Sequence, residues 1–326
     1  MIRTGTYAIT GSTGLMGTTA LMRLRNVPGV KVRAVYHRRQ PFIDGDNIHY
    51  IKADVTDEAA CRDIVAGCDY VLSFAGILMT APVLAANAVT PLTDNLRMVA
   101  RLLEASHHAG VRKFVHISSS TGYPDQDNLL REEDMFRGEP AEAYFGVGWL
   151  YRYLEKLCRL YATKLNPPLP IAVLRPSTVY GPYENFDPAA SHMLPALIRK
   201  VVERCDPIEI WGSGAVRRDL VHAADLFNAC LLVLARAEVY DVFNIAHGME
   251  YSIDELLAMA LEMDGYRNAP VVYNDNRPKA GGRRVLATDM AREILGFVPK
   301  ISMKEGIREM ITWYRNHWTA AQEERQ

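Results

Sequence analysis

Residues 6–24 read TYAITGSTGLMGTTALMRL, and the fold turns on them. A short β-branched and apolar run, TYAIT, meets three glycines, Gly11, Gly14 and Gly17, and the chain continues with helical spacing through Leu15, Leu21, Met22 and Leu24. Glycine serves a purpose in such a place: a tight turn, close approach of a ligand to the backbone at the positive end of a helix, and tight packing of that helix on a sheet. The spacing is GxxGxxG rather than the commoner GxGxxG, so backbone geometry alone competes as an explanation. Its place between the first strand and the first helix favours a bound pyrophosphate.

Outward from this stretch, strand-like runs recur as KVRAVYH, HYIKAD, YVLSFAG, KFVHISS and IAVLRP, with helical spacing between most of them. Alternating β and α predicts an α/β fold built on a doubly wound parallel (Rossmann) sheet, with ligands gathered at the carboxyl ends of the strands. From about Arg175 the texture changes to turn-rich pieces. The expected division is a dinucleotide-binding domain over residues 1–174 plus about 216–247, and a smaller interleaved α/β substrate lobe over about 175–215 plus 248–326. No fixed-period repeat and no low-complexity tract interrupts this plan.

The second strand ends in AVYHRRQP, with His37, Arg38 and Arg39 and no carboxylate to hold a ribose 2′-hydroxyl. Guanidinium groups suit a 2′-phosphate, which favours NADP, with NAD as the other choice and a solvated basic turn as the bland one. Asp54 in IKADVTD is an adenine-side contact or a helix cap. The residues expected to border the cofactor are Gly11, Thr13, Gly14, Met16 and Gly17, then His37, Arg38 and Asp54, then Ala75 and Gly76 after the fourth strand.

Composition narrows the partners. The 326 residues carry 37 basic and 38 acidic side chains, so no global field favours nucleic acid or an anionic membrane. No apolar run has the length of a membrane span, and the N-terminal segment lacks the pattern of a signal peptide. Five scattered cysteines without a CxxC pair fit reduced thiols in the cytoplasm, and they argue against a disulfide framework or a metal site.

TGSTGLMG, HISSSTGYP and RPSTVYGPYENFDPAASHMLPALIRK, in that order and followed by IWGSGAVRRDLVHAADL, resemble the extended short-chain dehydrogenase/reductase family of sugar-nucleotide epimerases and dehydratases. Within it the chain is most similar to the GDP-L-fucose synthase branch, from Tyr7 almost to Tyr314. The resemblance implies a hydride passed between a nicotinamide and a sugar carbon by a serine or threonine, a tyrosine and a lysine. Ser119 matches the serine.

Counting forward from EEDMFRGEPAEAY places the tyrosine at Tyr144 and the lysine at Gly148. Anchoring on GW and EKLCRLY instead places Val147 and Tyr151 at the two positions, and neither register contains the lysine. From Tyr144, position i+7 returns to nearly the same helix face, so Tyr151 is the second candidate hydroxyl. Arg152 is a candidate source of charge. The competing reading is that these aromatic residues merely fill a helix interface.

The branch also inverts stereocentres beside a 4-keto group with a cysteine and a histidine. His192 matches the histidine, and an imidazole suits proton transfer near neutrality. The cysteine position is Thr121, a poorer base than a thiol. The resemblance further implies a substrate site at Thr121, Asn185, Lys200, Arg218 and Arg283, and a homodimer through helices near residues 91–109 and 144–164.

The expected function is therefore a cytoplasmic NAD(P)-dependent epimerase or reductase of a nucleoside diphosphate (4-keto-6-deoxy)hexose. Its catalytic set is Ser119, Tyr144, His192 and Tyr151, without a metal. The alternative is a cofactor-binding sensor or scaffold of the same fold, favoured by the loss of lysine and cysteine together.

Overall fold

The fold is described from a computed structural model over residues 2–126, 128–274 and 284–318. The first part of the chain runs β1 (Gly5–Thr10), α1 (Leu15–Leu24), β2 (Val30–Tyr36), β3 (Ile48–Lys52), α2 (Glu58–Val65), β4 (Tyr70–Ser73), α3 (Ala81–Ala86), α4 (Val89–His108), β5 (Lys113–Ile117), α5 (Phe145–Thr163) and β6 (Ile171–Pro176). The remainder runs β7 (Thr178–Tyr180), α6 (Met193–Val202), β8 (Ile208–Trp211), β9 (Arg217–His222), α7 (Ala223–Leu234), β10 (Tyr240–Ile245), β11 (Glu250–Ser252), α8 (Ile253–Asp264), β12 (Val271–Asn274), α9 (Asp289–Leu295) and α10 (Met303–Trp313).

Seven strands form one sheet in the order β10-β6-β5-β4-β1-β2-β3, and each neighbouring pair is parallel. Strand side chains alternate between faces. Tyr7 and Ile9 therefore pack with Leu21 and Leu24 in one core, while Ala8 packs with Val71, Leu102 and Phe114 in the other. Both faces are covered by helices, which is what a parallel sheet of such apolar strands requires. Chain order reverses at β1, and a crevice opens at the carboxyl ends of β1 and β4.

A third core gathers Phe186, Leu194, Ile198, Ile210, Leu256 and Ile307 from α6, β8, α8, α10 and the loop after β7. Beside it stand a three-stranded sheet, β11-β9-β7, and a two-stranded one, β12-β8. Capping boxes start α8 and α10, where Ser252 pairs with Glu255 and Ser302 with Glu305, each satisfying amides that a helix start leaves open. Within the stretch 248–326, expected in the smaller lobe, Ala291 of α9 and Phe297 just beyond it belong to the core of the large sheet. No described helix is long and apolar enough to cross a membrane.

Candidate active-site cleft

The glycine loop is built as a cradle. Gly11 has φ +64°, and a Cβ there would stand 2.8 Å from both Phe74 O and Ala75 N. Gly17, the third helical residue of α1, packs so closely under the loop that a Cβ would lie 2.2 Å from Gly11 O. Gly14 caps α1 with no side-chain hydrogen bond, so the first amides of the helix remain available to an anion. Thr10 Oγ1 accepts from the amides of Phe74 and Ala75, both at 3.1 Å, and ties this loop to the one after β4. These residues fit a dinucleotide pyrophosphate.

From this loop a cleft of about 910 Å³ extends into the second lobe. Among the residues expected from the sequence, Gly11, Gly14, Met16, Ala75, Gly76, Ser119, Thr121, Tyr144, Tyr151, Asn185, His192, Lys200 and Arg218 border it. Five do not. Gly17 lies beneath the loop, and Thr13 turns its carbonyl to Arg39 Nη1 at 3.3 Å. His37 and Arg38 are exposed to solvent, and it is Arg39, not expected from the sequence to touch the cofactor, that borders the cleft, its guanidinium 5.8 Å from the centre of the Phe42 ring. Asp54 accepts from Thr56 N and Thr56 Oγ1, each at 2.8 Å, which closes a local turn and holds its carboxyl below the usual range. Arg283 lies outside the described residues, while its neighbour Arg284 lines the cleft.

At the end of β5, Thr121 Oγ1 donates to Ser119 Oγ at 2.9 Å, so the two hydroxyls act as a pair. Behind them lies a buried network that the sequence reading missed. Ser118 Oγ donates to Glu155 Oε1 at 2.5 Å, and Arg175 grips the same carboxylate with bonds of 2.8 and 2.6 Å. Arg175 also donates to Tyr123 Oη at 2.9 Å, and Tyr123 donates to Asn244 Oδ1 at 2.6 Å. The signal was visible as an arginine inside the apolar strand IAVLRP, since a buried charge needs a partner.

Helix α5 carries both candidate tyrosines and the position expected for the lysine. A Cβ at Gly148 would stand 2.7 Å from Thr121 O and 2.5 Å from Pro140 Cβ, so that position admits no side chain, lysine included. Val147, Leu150, Tyr151 and Leu154 border the cleft instead. Arg152, the expected source of charge, faces away: its Nε donates to Gly122 O at 2.7 Å and its Nη1 to Gly138 O at 2.6 Å. Tyr151 makes no hydrogen bond among the described residues, and burial pushes its hydroxyl up to about 12. Tyr144 sits at the far end beside Arg218, with the Arg284 guanidinium 4.2 Å from its ring centre.

His192 caps α6, its Nδ1 3.4 Å from Glu184 Oε1. Burial pulls this imidazole down, but the adjacent carboxylate outweighs it and the group sits above its ordinary value. Glu184 also receives the Asn185 amide at 3.2 Å, which fixes the loop leading to α6. Lys200 Nζ donates to Glu209 O at 2.6 Å. Asp219, buried on β9 at the cleft wall, is raised to about 7 by burial, against hydrogen bonds from Gly248 N, His247 N and Ser177 Oγ. No group of three or more His, Cys, Asp or Glu among the described residues is placed to hold a metal ion.

A glycine cradle at the switch point of a doubly wound sheet, opening into a cationic second lobe, defines a dinucleotide-binding α/β protein. Residues 7–246 match the NAD dependent epimerase/dehydratase family, and the chain belongs to that family. The chain is 28% identical over 322 residues to a dTDP-4-dehydro-6-deoxy-D-allose reductase of a Streptomyces species, covering 96% of this chain and 97% of that one. It is 30% identical to a GDP-L-fucose synthase of Sinorhizobium fredii over 221 residues, 66% of this chain and 68% of the relative. Among solved structures, MoeE5 in complex with UDP-glucuronic acid and NAD superposes with a TM-score of 0.82 at 28% identity, over 95% of this chain and 98% of that one.

Proposed function

We propose that the chain is an NAD(P)-dependent enzyme that reduces or epimerises a nucleoside diphosphate 4-keto-6-deoxyhexose, with NADP the favoured cofactor and NAD the second choice. The observation that carries this reading is the continuity of one cleft from the glycine loop to Arg218 and Arg284. A dinucleotide and a sugar nucleotide can meet there end to end. The family, and the substrate class printed for the Streptomyces reductase, support the same chemistry.

When bound, the cofactor supplies or accepts a hydride. The open amides of α1 hold its pyrophosphate, and Arg39, fixed by the Thr13 carbonyl, suits a 2′-phosphate. Arg218, Arg284 and Lys200 hold the substrate diphosphate, with Asn185 and Thr121 along the sugar. Ser119 donates to the ketone oxygen, and His192, kept basic by Glu184, moves the proton on the carbon beside it. Tyr144 is the second proton-transfer group, and Tyr151 is the hydroxyl at the cofactor end. Cytoplasmic residence and a homodimer through α5 complete the reading, supported by five unpaired thiols and by the exposed Phe145, Trp149 and Tyr153.

Thermal unfolding with ligands tests it against a sensor of the same fold. An enzyme with two joined sites is stabilised by NADPH and further by a dTDP- or GDP-linked hexose. Stabilisation by NADPH alone, with no sugar nucleotide adding to it, would support the sensor.

A further inference from the structure

Opposite the cleft, at the amino ends of the strands, the sheet frames a second cavity of about 250 Å³. Strand register builds its floor. Tyr70 of β4 is paired with Lys113 of β5, so both side chains leave the same face of the sheet. The segment after α7 lies over them, and Lys113 Nζ donates to Glu238 O. Arg3, Arg112 and Arg236 complete the polar lining, which holds four cations and, among the described residues, no carboxylate. The carboxylates stand outside it. Asp69 lies 3.1 Å from Arg112 Nε, Asp241 lies 3.1 Å from Arg236 Nε and 3.8 Å from Lys113 Nζ, and Glu238 lies 3.7 Å from Arg236 Nη2. Four cations therefore meet three carboxylates.

Donors are left over on this wall. Tyr70 is only 3% exposed and its hydroxyl makes no hydrogen bond among the described residues, yet it is not sealed in, because it borders the cavity. A buried tyrosine hydroxyl ordinarily has a partner. Both Nη groups of Arg112 are likewise unbonded among the described residues, and so is Nη2 of Arg3, which reaches Leu234 O at 3.0 Å through Nη1. Burial pulls the Lys113 ammonium below its ordinary range, and the Asp241 charge does not restore it. The carbonyl end of α7 attracts cations, which accounts for Arg3 and Arg236 but not for Tyr70 or Lys113. We propose that the cavity binds a free oxyanion of the phosphate class, gripped by Arg3, Arg112 and Lys113 and receiving a hydrogen bond from Tyr70. Guanidinium forks and a hydroxyl suit an ion with several acceptor oxygens. The volume lies below the range of about 300–1,000 Å³ typical of sites for larger ligands, which favours an inorganic ion. This site shares no lining residue with the cleft.

The test is thermal unfolding in millimolar sodium phosphate against sodium chloride of equal ionic strength, for the wild type, Tyr70→Phe, Arg112→Gln and Arg218→Ala. The wild type and Arg218→Ala, whose change lies in the cleft, are each expected to gain about 2–4 °C in phosphate, and Tyr70→Phe and Arg112→Gln less than about half of that. Phosphate also stabilises proteins by its exclusion from their surface, but that gain is common to all four. An equal gain in all four proteins, no gain in any, or a gain lost only in Arg218→Ala overturns the assignment. Adenosine 5′-monophosphate is the second arm. A gain larger than that from phosphate, and lost in Tyr70→Phe and Arg112→Gln, overturns the choice of a free ion; no gain, or one that those two variants leave unchanged, supports it.

Discussion

The Arg284 guanidinium lies 4.2 Å from the ring centre of Tyr144, and Arg218 of β9 stands beside the same tyrosine at the start of α5. With Arg284 over its ring, the tyrosine is held between two guanidinium groups at the mouth of the second lobe. This end of the cleft is built for an anion. Arg218→Ala is expected to raise the Kd of a nucleoside diphosphate sugar by about ten- to a hundredfold while leaving that of NADPH within about twofold. Arg218→Lys recovers part of the loss, since it keeps the charge and gives up the fork. Parallel titrations of the two ligands decide it, and an equal loss of both would remove Arg218 from the substrate end.

The two glycines nearest Gly11 O should differ in tolerance. A Cβ at Gly17 would lie 2.2 Å from that oxygen, inside any real contact, whereas one at Gly14 would lie 3.4 Å away. Gly17→Ala is expected to cost about 2–4 kcal/mol and to abolish cofactor binding, and Gly14→Ala less than about 1 kcal/mol. Denaturant melts of both variants measure the order, and the reverse order would mean that the loop is not packed as described.

Asp219 gives the fold a pH dependence of a definite sign. Its folded pKa, about 7, lies above its ordinary 3.8, so the folded state binds the proton more tightly than the unfolded chain does. The resulting stability is complete below about pH 4 and is lost as the pH rises through about 7. Wild type minus Asp219→Asn should therefore fall by roughly 2–4 kcal/mol between pH 4 and pH 8. Denaturant titrations across that range would contradict the assignment with a flat difference.

The Glu155–Arg175 pair, buried beneath Ser119, should be costly to break and cheap to replace. Arg175→Met leaves a carboxylate without its cation and is expected to cost about 3–5 kcal/mol. Glu155→Leu combined with Arg175→Met should cost clearly less than the sum of the two single changes. Additive losses in a double-mutant cycle would mean that the pair is not coupled.

The sequence carried whatever depends on short-range geometry. Alternating strands and helices, the three glycines and the SHMLP segment at the start of α6 are local signals, and the structure places them as a doubly wound sheet with His192 at a helix start. Which of three consecutive basic residues serves the cleft was not local. His37, Arg38 and Arg39 share one turn, and Arg39 leans toward the glycine loop beside Phe42, whose ring rests 5.6 Å from that of Trp313 at the end of α10. The same holds for Gly148 and Arg152. One is shut by Thr121 O and Pro140, the other is drawn off by Gly122 O and Gly138 O, and helix periodicity contains none of those contacts. The pairing of Tyr70 with Lys113 is a matter of strand register between residues 43 apart in sequence. Asp54 is the opposite case, since the DVT triplet could have been read as a turn without any fold.

The most direct test of the central claim is to incubate the protein with NADPH and a dTDP- or GDP-linked 4-keto-6-deoxyhexose in heavy water and to follow the sugar by NMR, beside His192→Ala. The account predicts reduced sugar or deuterium beside the ketone with the wild type, and loss of the deuterium in His192→Ala while both ligands still bind. An unchanged sugar, with cofactor and sugar nucleotide both demonstrably bound to the wild type, would contradict it.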